Sequence, residues 1–347
     1  MTESPNRHSL RSDLDWTFES VESVSRTFAL SIELLEKPVN SWICTGYLLC
    51  RAADTIEDES SISPVARAEL LELYDRVIDS EQPDDISDFM REVAKNRPET
   101  VSTDWEVLEE TDRVFRILKT FSDDVQKAIR TVVREMSVGM AKFLRRYAHH
   151  GGLRIQTIDE LEEYCWYVAG TVGELFTSLL SCYDADKRSE PDTADVRSFA
   201  LLLQLINIAK DVPVDLRTEN NVYLPAEWLA DEGIGHDAIE NSTKGDAVAA
   251  VIRRVVKHAE SYTDGARRAL ATLPENQAGM LEATTLPYLL ALGTARELHA
   301  RTDEAVESAV KLERTEVAAI YGEMRQGITH NDIDPMSEAV RTGQYTQ

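Results

Sequence analysis

Tyr47-Leu-Leu-Cys-Arg-Ala-Ala-Asp-Thr-Ile-Glu-Asp58 is the stretch on which the fold turns. Read as helix, it places Tyr47, Arg51, Asp54 and Asp58 at offsets 0, 4, 7 and 11, along one face. Leu48, Leu49, Ala52, Ala53 and Ile56 lie between them, so most of the helix is inside the protein. Charged side chains are seldom buried without partners. A phenol, a guanidinium and two carboxylates in line on an apolar helix therefore predict a stripe that faces a cavity.

A second stripe lies far down the chain. Gln204, Asn207, Asp211 and Asp215 stand at offsets 0, 3, 7 and 11, on a helix that otherwise carries Leu201–Leu203, Leu205, Ile206 and Ile208. In a chain this acidic, one Asp-x-x-x-Asp alone reads as a solvated face. Two of them, each with cationic or amide neighbours at the end of an apolar run, read as a site. Carboxylates with open coordination positions suit Mg²⁺ bridged to phosphate oxygens. Four aspartates would repel each other without a cation, whereas Mg²⁺ and a diphosphate balance the charge. Arg51, Lys210 and Arg217 would neutralise phosphate directly, and the Leu, Ile, Val and Phe around them imply an apolar tail. A long hydrocarbon diphosphate is the ligand these parts describe. Pro213 removes a backbone donor between Asp211 and Asp215, so the helix is expected to kink or end there and displace Asp215.

The third element is Tyr164-Cys-Trp-Tyr-Val-Ala-Gly-Thr-Val-Gly-Glu174. As an α-helix it sets Tyr167, Gly170 and Glu174 on one face. A glycine inside a helix costs roughly 1 kcal/mol against alanine, so its presence needs a return. Close helix packing is the plain reading; room for a bulky ligand beside Tyr167 is the functional one. Aromatic faces stabilise carbocations and exclude water.

The rest of the 347 residues read as helix after helix, with no convincing period-2 strand and no fixed repeat. The expected organisation is one all-α domain over 14–326, a flexible lead-in over 1–13 and a polar, frayed tail over 327–347. The net charge is −25, and of the 37 basic residues 10 are lysine. Such a surface repels nucleic acid and anionic lipid. It suits a protein kept soluble at high salt, where carboxylate repulsion is screened; an ordinary acidic protein is the alternative. Cys44, Cys50, Cys165 and Cys182 sit in apolar segments without metal spacing and read as reduced core residues. The N-terminus lacks the apolar run of a signal peptide, and no segment approaches the ~20 apolar residues of a membrane span. A cytoplasmic protein without an integral membrane segment is expected.

Four motifs, Ser25-Arg-Thr-Phe28, Arg51-Ala-Ala-Asp-Thr-Ile-Glu-Asp58, Tyr167-Val-Ala-Gly-Thr-Val-Gly173 and Gln204-x-x-Asn207-x-x-Lys-Asp211-x-x-x-Asp215, together resemble the squalene/phytoene synthase family of head-to-head prenyl transferases. The resemblance runs from about Ser23 to Trp228, and more loosely to about Arg314. It implies an isoprenoid-synthase helical bundle with a central cavity and Mg²⁺ held by Asp54, Asp58, Asp211 and Asp215. It further implies that Ser25, Arg26 and Arg51 hold diphosphate and that Gln204, Asn207 and Lys210 line the cavity near the second motif. Tyr47 and Tyr167 match positions linked to ionisation and proton removal, with Arg51 beside them. Lys210 stands where many members have arginine, which keeps the charge and loses the bidentate fork.

Within the family, Asp54-Thr-Ile-Glu-Asp58 looks like the squalene synthase form of the first motif, whereas Val222-Tyr-Leu-Pro225 and Gly173-Glu174 look closer to the phytoene and dehydrosqualene branch. Weighting the first motif, the implied reaction condenses two farnesyl diphosphates to presqualene diphosphate, which NADPH then reduces to squalene. No G-x-G-x-x-G follows a strand, so NADPH rests on the resemblance alone. A peripheral contact with a membrane or a partner would release the product. The alternatives are phytoene synthase acting on geranylgeranyl diphosphate, dehydrosqualene synthase without NADPH, and a helical scaffold or assembly factor that lost the chemistry.

Overall fold

The computed structural model describes the chain apart from residues 1–4, 26–27, 30–31, 33–34, 81, 184–191, 240–241, 274–277 and 347. Arg26 of the expected diphosphate set lies outside the described residues. The first helices are α1 (Pro5–Val24), α2 (Val39–Asp58), α3 (Pro64–Ser80), α4 (Pro83–Lys95), α5 (Thr103–Leu108), α6 (Thr111–Leu118) and α7 (Asp123–Tyr147). Next come α8 (Ile158–Cys165), a π-helical turn (Trp166–Gly170), α9 (Thr171–Tyr183), α10 (Thr193–Glu219) and α11 (Ala226–Asp231). The chain closes with α12 (Gly245–Glu260), α13 (Thr263–Ala271), α14 (Ala278–Ala300), α15 (Thr302–Ala305), α16 (Arg314–Met324) and α17 (His330–Arg341). Among the described residues the β-type pairing is one isolated bridge, Arg154 to Val222. The architecture is all-α, as the periodicity predicts. Its contacts divide the chain into two units, Met1–Ala148 with Glu174–Glu190, and His149–Gly173 with Pro191–Gln347.

In the first unit α2 packs against α1, α3, α5, α6 and α7. Leu48, Leu49, Ala52, Ala53 and Ile56 are buried, and each fully buried Leu or Ile contributes about 1.5–3 kcal/mol. That burial holds α2 in place while it carries its charged stripe. Tyr74 of α3 is fully buried and its hydroxyl donates to the Leu49 carbonyl at 2.9 Å. The cysteines are free, with Cys44, Cys50 and Cys165 buried. Burial pushes the Cys50 thiol up to about 12, which keeps it inert.

Where the sequence reads a flexible lead-in, helix α1 begins at Pro5. Its anchor is Asp13, 5% exposed, which accepts from Arg113 Nε at 2.9 Å and Arg116 Nε at 2.8 Å. Arg113 also lies over the Trp16 ring, 4.6 Å from its centroid. The partners sit 100 and 103 residues away, beyond any local reading. The expected frayed tail likewise contains α17. Thr329 and Asp332 close a capping box at its start. Ile333, Met336 and Val340 are buried, and the Val340 carbonyl accepts from Arg296 at 2.6 Å. The Thr-x-x-Asp signal and the apolar spacing were present in the sequence; the polar residues between them hid both.

In the second unit α10 packs against α12, α13, α14, α15, α8 and the π-turn. Pro213 does not end it. The helix runs 27 residues, to an Asn220 cap at φ 57°. A mid-helix proline costs about 3 kcal/mol, and burial of Ile208, Ala209, Val212 and Pro213 among the packed helices offsets it. Neighbouring backbone also serves this stretch. The Lys210 carbonyl accepts from the Val310 N–H at 3.3 Å, and Arg217 donates to the Glu307 carbonyl at 3.0 Å.

Candidate active site

Helix α2 carries the first stripe as the spacing predicts. Carboxylate oxygens of Asp54, Glu57 and Asp58 lie within 4.8 Å of one another. Asp54 and Asp58 are half-buried, and Glu57 is 1% exposed. Glu57 is the member the offset pattern missed. One turn of helix brings positions 0, 3 and 4 together, whereas the stripe was counted from Tyr47. Fully buried Arg67 of α3 donates to the Glu57 carbonyl and fixes this end of α2.

Arg51 sits between two carboxylates. Its Nη1 donates to Asp54 and its Nε to Asp104 at 2.7 Å. Asp104, in the first turn of α5, belongs to no motif and was not anticipated. Burial works against the Arg51 charge, but Asp54 and Asp104 outweigh it and hold the guanidinium firmly ionised. For the Asp54 carboxyl, burial is the largest influence and pushes upward. Arg51 opposes it, Asp104 adds to it, and the net is a raised carboxyl.

Tyr47 stands two turns before Asp54, half-buried, with its ring 4.2 Å from that of Phe28. Phe28 meets Phe176 of α9 edge-on at 5.8 Å. Burial raises the Tyr47 phenol, a hydrogen bond with Ser25 pulls the other way, and the net is upward. Tyr47 is therefore a neutral hydroxyl at physiological pH. Ser25, expected as a diphosphate ligand, is here a partner of the Tyr47 hydroxyl. Gly46 permits the approach of α9, because a Cβ there would lie 2.8 Å from Leu175.

The second unit holds the other predicted residues. Lys210 pairs with its neighbour Asp211, both about three-quarters covered. Gln204 is half-buried, but Asn207 is exposed. Asp215 lines a void of about 10 Å³ with Asn221 and Tyr223, room for about one water. Burial, Glu219 and Asp211 push its carboxyl up to about 8 against the pull of Lys210. Pro213 thus leaves Asp215 on the helix, one turn from Asp211.

Tyr167 lies in the π-turn Trp166–Gly170, not in the α-helix its spacing suggests. Five-residue turns of this kind are rare and cluster at functional sites. The wider turn breaks the phase that would set Tyr167, Gly170 and Glu174 on one face. The Tyr167 hydroxyl donates to Glu163 at 3.3 Å. Gly170 is required here, because a Cβ would lie 2.3 Å from the Trp166 ring. Gly173 admits Val196 of α10, 3.1 Å from the position of a Cβ.

The donor set tests whether Mg²⁺ fits. It is all oxygen, anionic, clustered on one helix and partly open to solvent, which suits a hard cation that keeps some of its waters. Among the described residues it is the one group of three such ligands. A family model for squalene/phytoene synthase matches residues 21–316. The chain belongs to the squalene/phytoene synthase family. Within the family, it is 30% identical to squalene synthase of Homo sapiens over 224 residues, 64% of this chain and 49% of that protein. It is 23% identical to inactive squalene synthase 2 of Arabidopsis thaliana over 307 residues, 85% of this chain and 67% of that one. The chain thus spans about half to two thirds of these curated relatives. A solved structure of TcSQS with the ligand BPH1237 superposes with a TM-score of 0.76 at 22% identity, covering 95% of this chain and 98% of that one. A dehydrosqualene synthase structure gives 0.55 at 16% identity, covering 99% and 100%. These likenesses show the fold, which is that of the squalene synthase-type helical proteins. No helix among the described residues is long and apolar enough to cross a membrane.

Proposed function

We propose that the protein is a Mg²⁺-dependent prenyl transferase that joins two farnesyl diphosphates head to head into presqualene diphosphate, and with NADPH reduces it to squalene. The observation that carries this reading is the Arg51–Asp54–Glu57–Asp58 group on α2, with the neutral Tyr47 hydroxyl two turns away, in a chain of this family. Similarity to squalene synthases supports the choice of farnesyl diphosphate.

Asp54 and Asp58, with Glu57 beside them, and Asp211 with Asp215, would hold Mg²⁺. Bound there, Mg²⁺ would supply Lewis-acid neutralisation of pyrophosphate charge. Arg51, Ser25 and Arg26 bind diphosphate oxygens, and Lys210 adds charge at the second motif, with Gln204 and Asn207 beside it. Tyr47, kept protonated by burial, donates a hydrogen bond as the first diphosphate ionises. Tyr167, hydrogen-bonded to Glu163, would accept the proton lost on condensation. One pyrophosphate and one proton leave in the first step. In the second, NADPH, if bound, would supply the hydride that balances loss of the second pyrophosphate. Among the described residues no strand leads into a glycine-rich phosphate turn, so the reductive half rests on likeness to the squalene synthases.

Labelled farnesyl and geranylgeranyl diphosphates, with Mg²⁺ and with or without NADPH, test the reading. The expected result is a C30 hydrocarbon from farnesyl diphosphate only, reduced when NADPH is present. A C40 product from the longer substrate overturns the substrate choice. Val222-Tyr-Leu-Pro225 favours dehydrosqualene as the second reading, in which NADPH changes nothing. One similar plant protein is inactive. A parent chain that forms no product from either substrate would place it with the scaffold alternative, whereas turnover that survives in the double variant Asp54→Ala, Asp211→Ala would take the chemistry away from the two aspartate motifs.

A further inference from the structure

We propose that Asp104 is a positioning residue for Arg51, and through it for the substrate diphosphate. The inference rests on the reading that Arg51 binds diphosphate. The two residues are 53 positions apart, yet Asp104 Oδ1 accepts from Arg51 Nε at 2.7 Å. The Nη1 of the same guanidinium meets Asp54. The two acids therefore hold different edges of one planar fork. Arginine has a long, flexible stem, and its guanidinium matches a carboxylate or phosphate only when the plane is set. Without Asp104, both N–H edges of Arg51 can fold onto Asp54. That closes the arginine to phosphate and occupies a carboxylate of the metal group.

The support under Asp104 is rigid. The flanking Trp105 and Leu108 of α5 are fully buried, and the cap of that helix is Ser102, whose Oγ accepts from Trp105 N at 3.1 Å. Asp104 is thus not needed to start α5. Stability does not explain it either. The pair is 27–29% exposed, and Asp104 also raises the neighbouring Asp54 carboxyl, which works against any gain from the ion pair. Asp104 thus brings a further carboxylate up to Asp54 and pushes it upward, and Arg51 between the two opposes that. Asp104 lies outside the three-carboxylate group itself, so its partner is the arginine rather than a cation.

The test is calorimetric binding of inorganic pyrophosphate in Mg²⁺, with steady-state kinetics and thermal unfolding alongside. It uses the full chain and the variants Asp104→Ala, Asp104→Asn, Arg51→Ala and Asp104→Ala with Arg51→Ala. Asp104→Ala is expected to weaken pyrophosphate binding by about tenfold, the scale of one charge-assisted hydrogen bond misplaced. KM for farnesyl diphosphate rises in parallel, while the melting temperature stays close to that of the parent. Asp104→Asn keeps an acceptor at Nε and recovers part of the loss, and it serves as the probe if the alanine variant fails to fold. In the Arg51→Ala background the Asp104 change costs nothing further. Unchanged affinity in both Asp104 variants overturns the proposal. So does an equal further loss without Arg51, which would make Asp104 a group that acts on its own. A parent chain that binds no pyrophosphate overturns the functional reading and this inference together. A parent that binds it, beside an indifferent Asp104, sinks the inference alone.

Discussion

Single carboxylates carry opposite burdens in this protein. Asp54 shares a space of 4.8 Å with Glu57 and Asp58 and is held with its carboxyl raised, so its ionised form is disfavoured in the native state. A raised carboxyl takes stability away above its unfolded value near 4. Asp54→Asn is therefore expected to leave the melting temperature unchanged or higher at neutral pH, while product formation falls by about a hundredfold or more. Differential scanning fluorimetry beside a product assay checks both halves. Asp13 is the reverse case. The hydrogen bond from Arg116 outweighs burial and, with Arg113, holds its carboxyl below the usual range. Its contribution is full above about pH 4 and is lost as pH falls through the lower native value. Asp13→Asn should cost about 1–3 kcal/mol at neutral pH, and the difference from the parent should shrink near pH 3, as urea unfolding at the two pH values would show. Tyr47, Arg51, Asp54 and Asp58 were legible because one helix carries them all. Glu57 was in the quoted stretch but out of the counted phase, and Asp104 was invisible, since only packing brings α5 to α2.

At the scale of elements, two departures from regular helix shape the second unit. The π-turn Trp166–Gly170 carries Tyr167, and its sequence has no signature that separates it from α-helix. Only the glycine hints at it. Gly170→Ala would drive a Cβ into the Trp166 ring. The expected cost is about 1–3 kcal/mol of stability, with turnover falling further than unfolding explains. Chemical denaturation and kcat under native conditions separate the two effects. The end of α8 that feeds the turn is tied by Glu162, which accepts from His258 at 2.9 Å and from Tyr262, with Arg197 3.6 Å away. In α10 the proline rule predicted a kink or an end, and with neighbours packed against it the helix does not end. Local preference amounts to about 3 kcal/mol, less than a few buried side chains supply.

For the molecule as a whole, net charge is the governing quantity. With −25 on 347 residues and arginine as the main cation, many pairs are Arg–carboxylate, as in Arg145–Glu72, Arg254–Asp231 and Arg267–Asp334. With 62 acidic against 37 basic residues, carboxylates on balance repel one another. At about 1 M salt the screening length is roughly 3 Å, so repulsion fades while close pairs persist in part. The melting temperature should rise between low salt and molar KCl. A value that stays level or falls would count against adaptation to high salt and leave an ordinary acidic protein.

The sequence alone determined the all-α class, the burial of α2 and the carriage of Arg51, Asp54 and Asp58 along it, because helical period is written locally. The family likeness was legible from the same motifs. Only the tertiary structure decided that Asp104 holds Arg51, that Glu57 joins the carboxylate group, that Tyr167 rides on a π-turn, and that Pro213, the segment from Pro5 and the segment His330–Arg341 are helical. Those outcomes depend on side chains distant in sequence, or on burial large enough to outweigh a local preference.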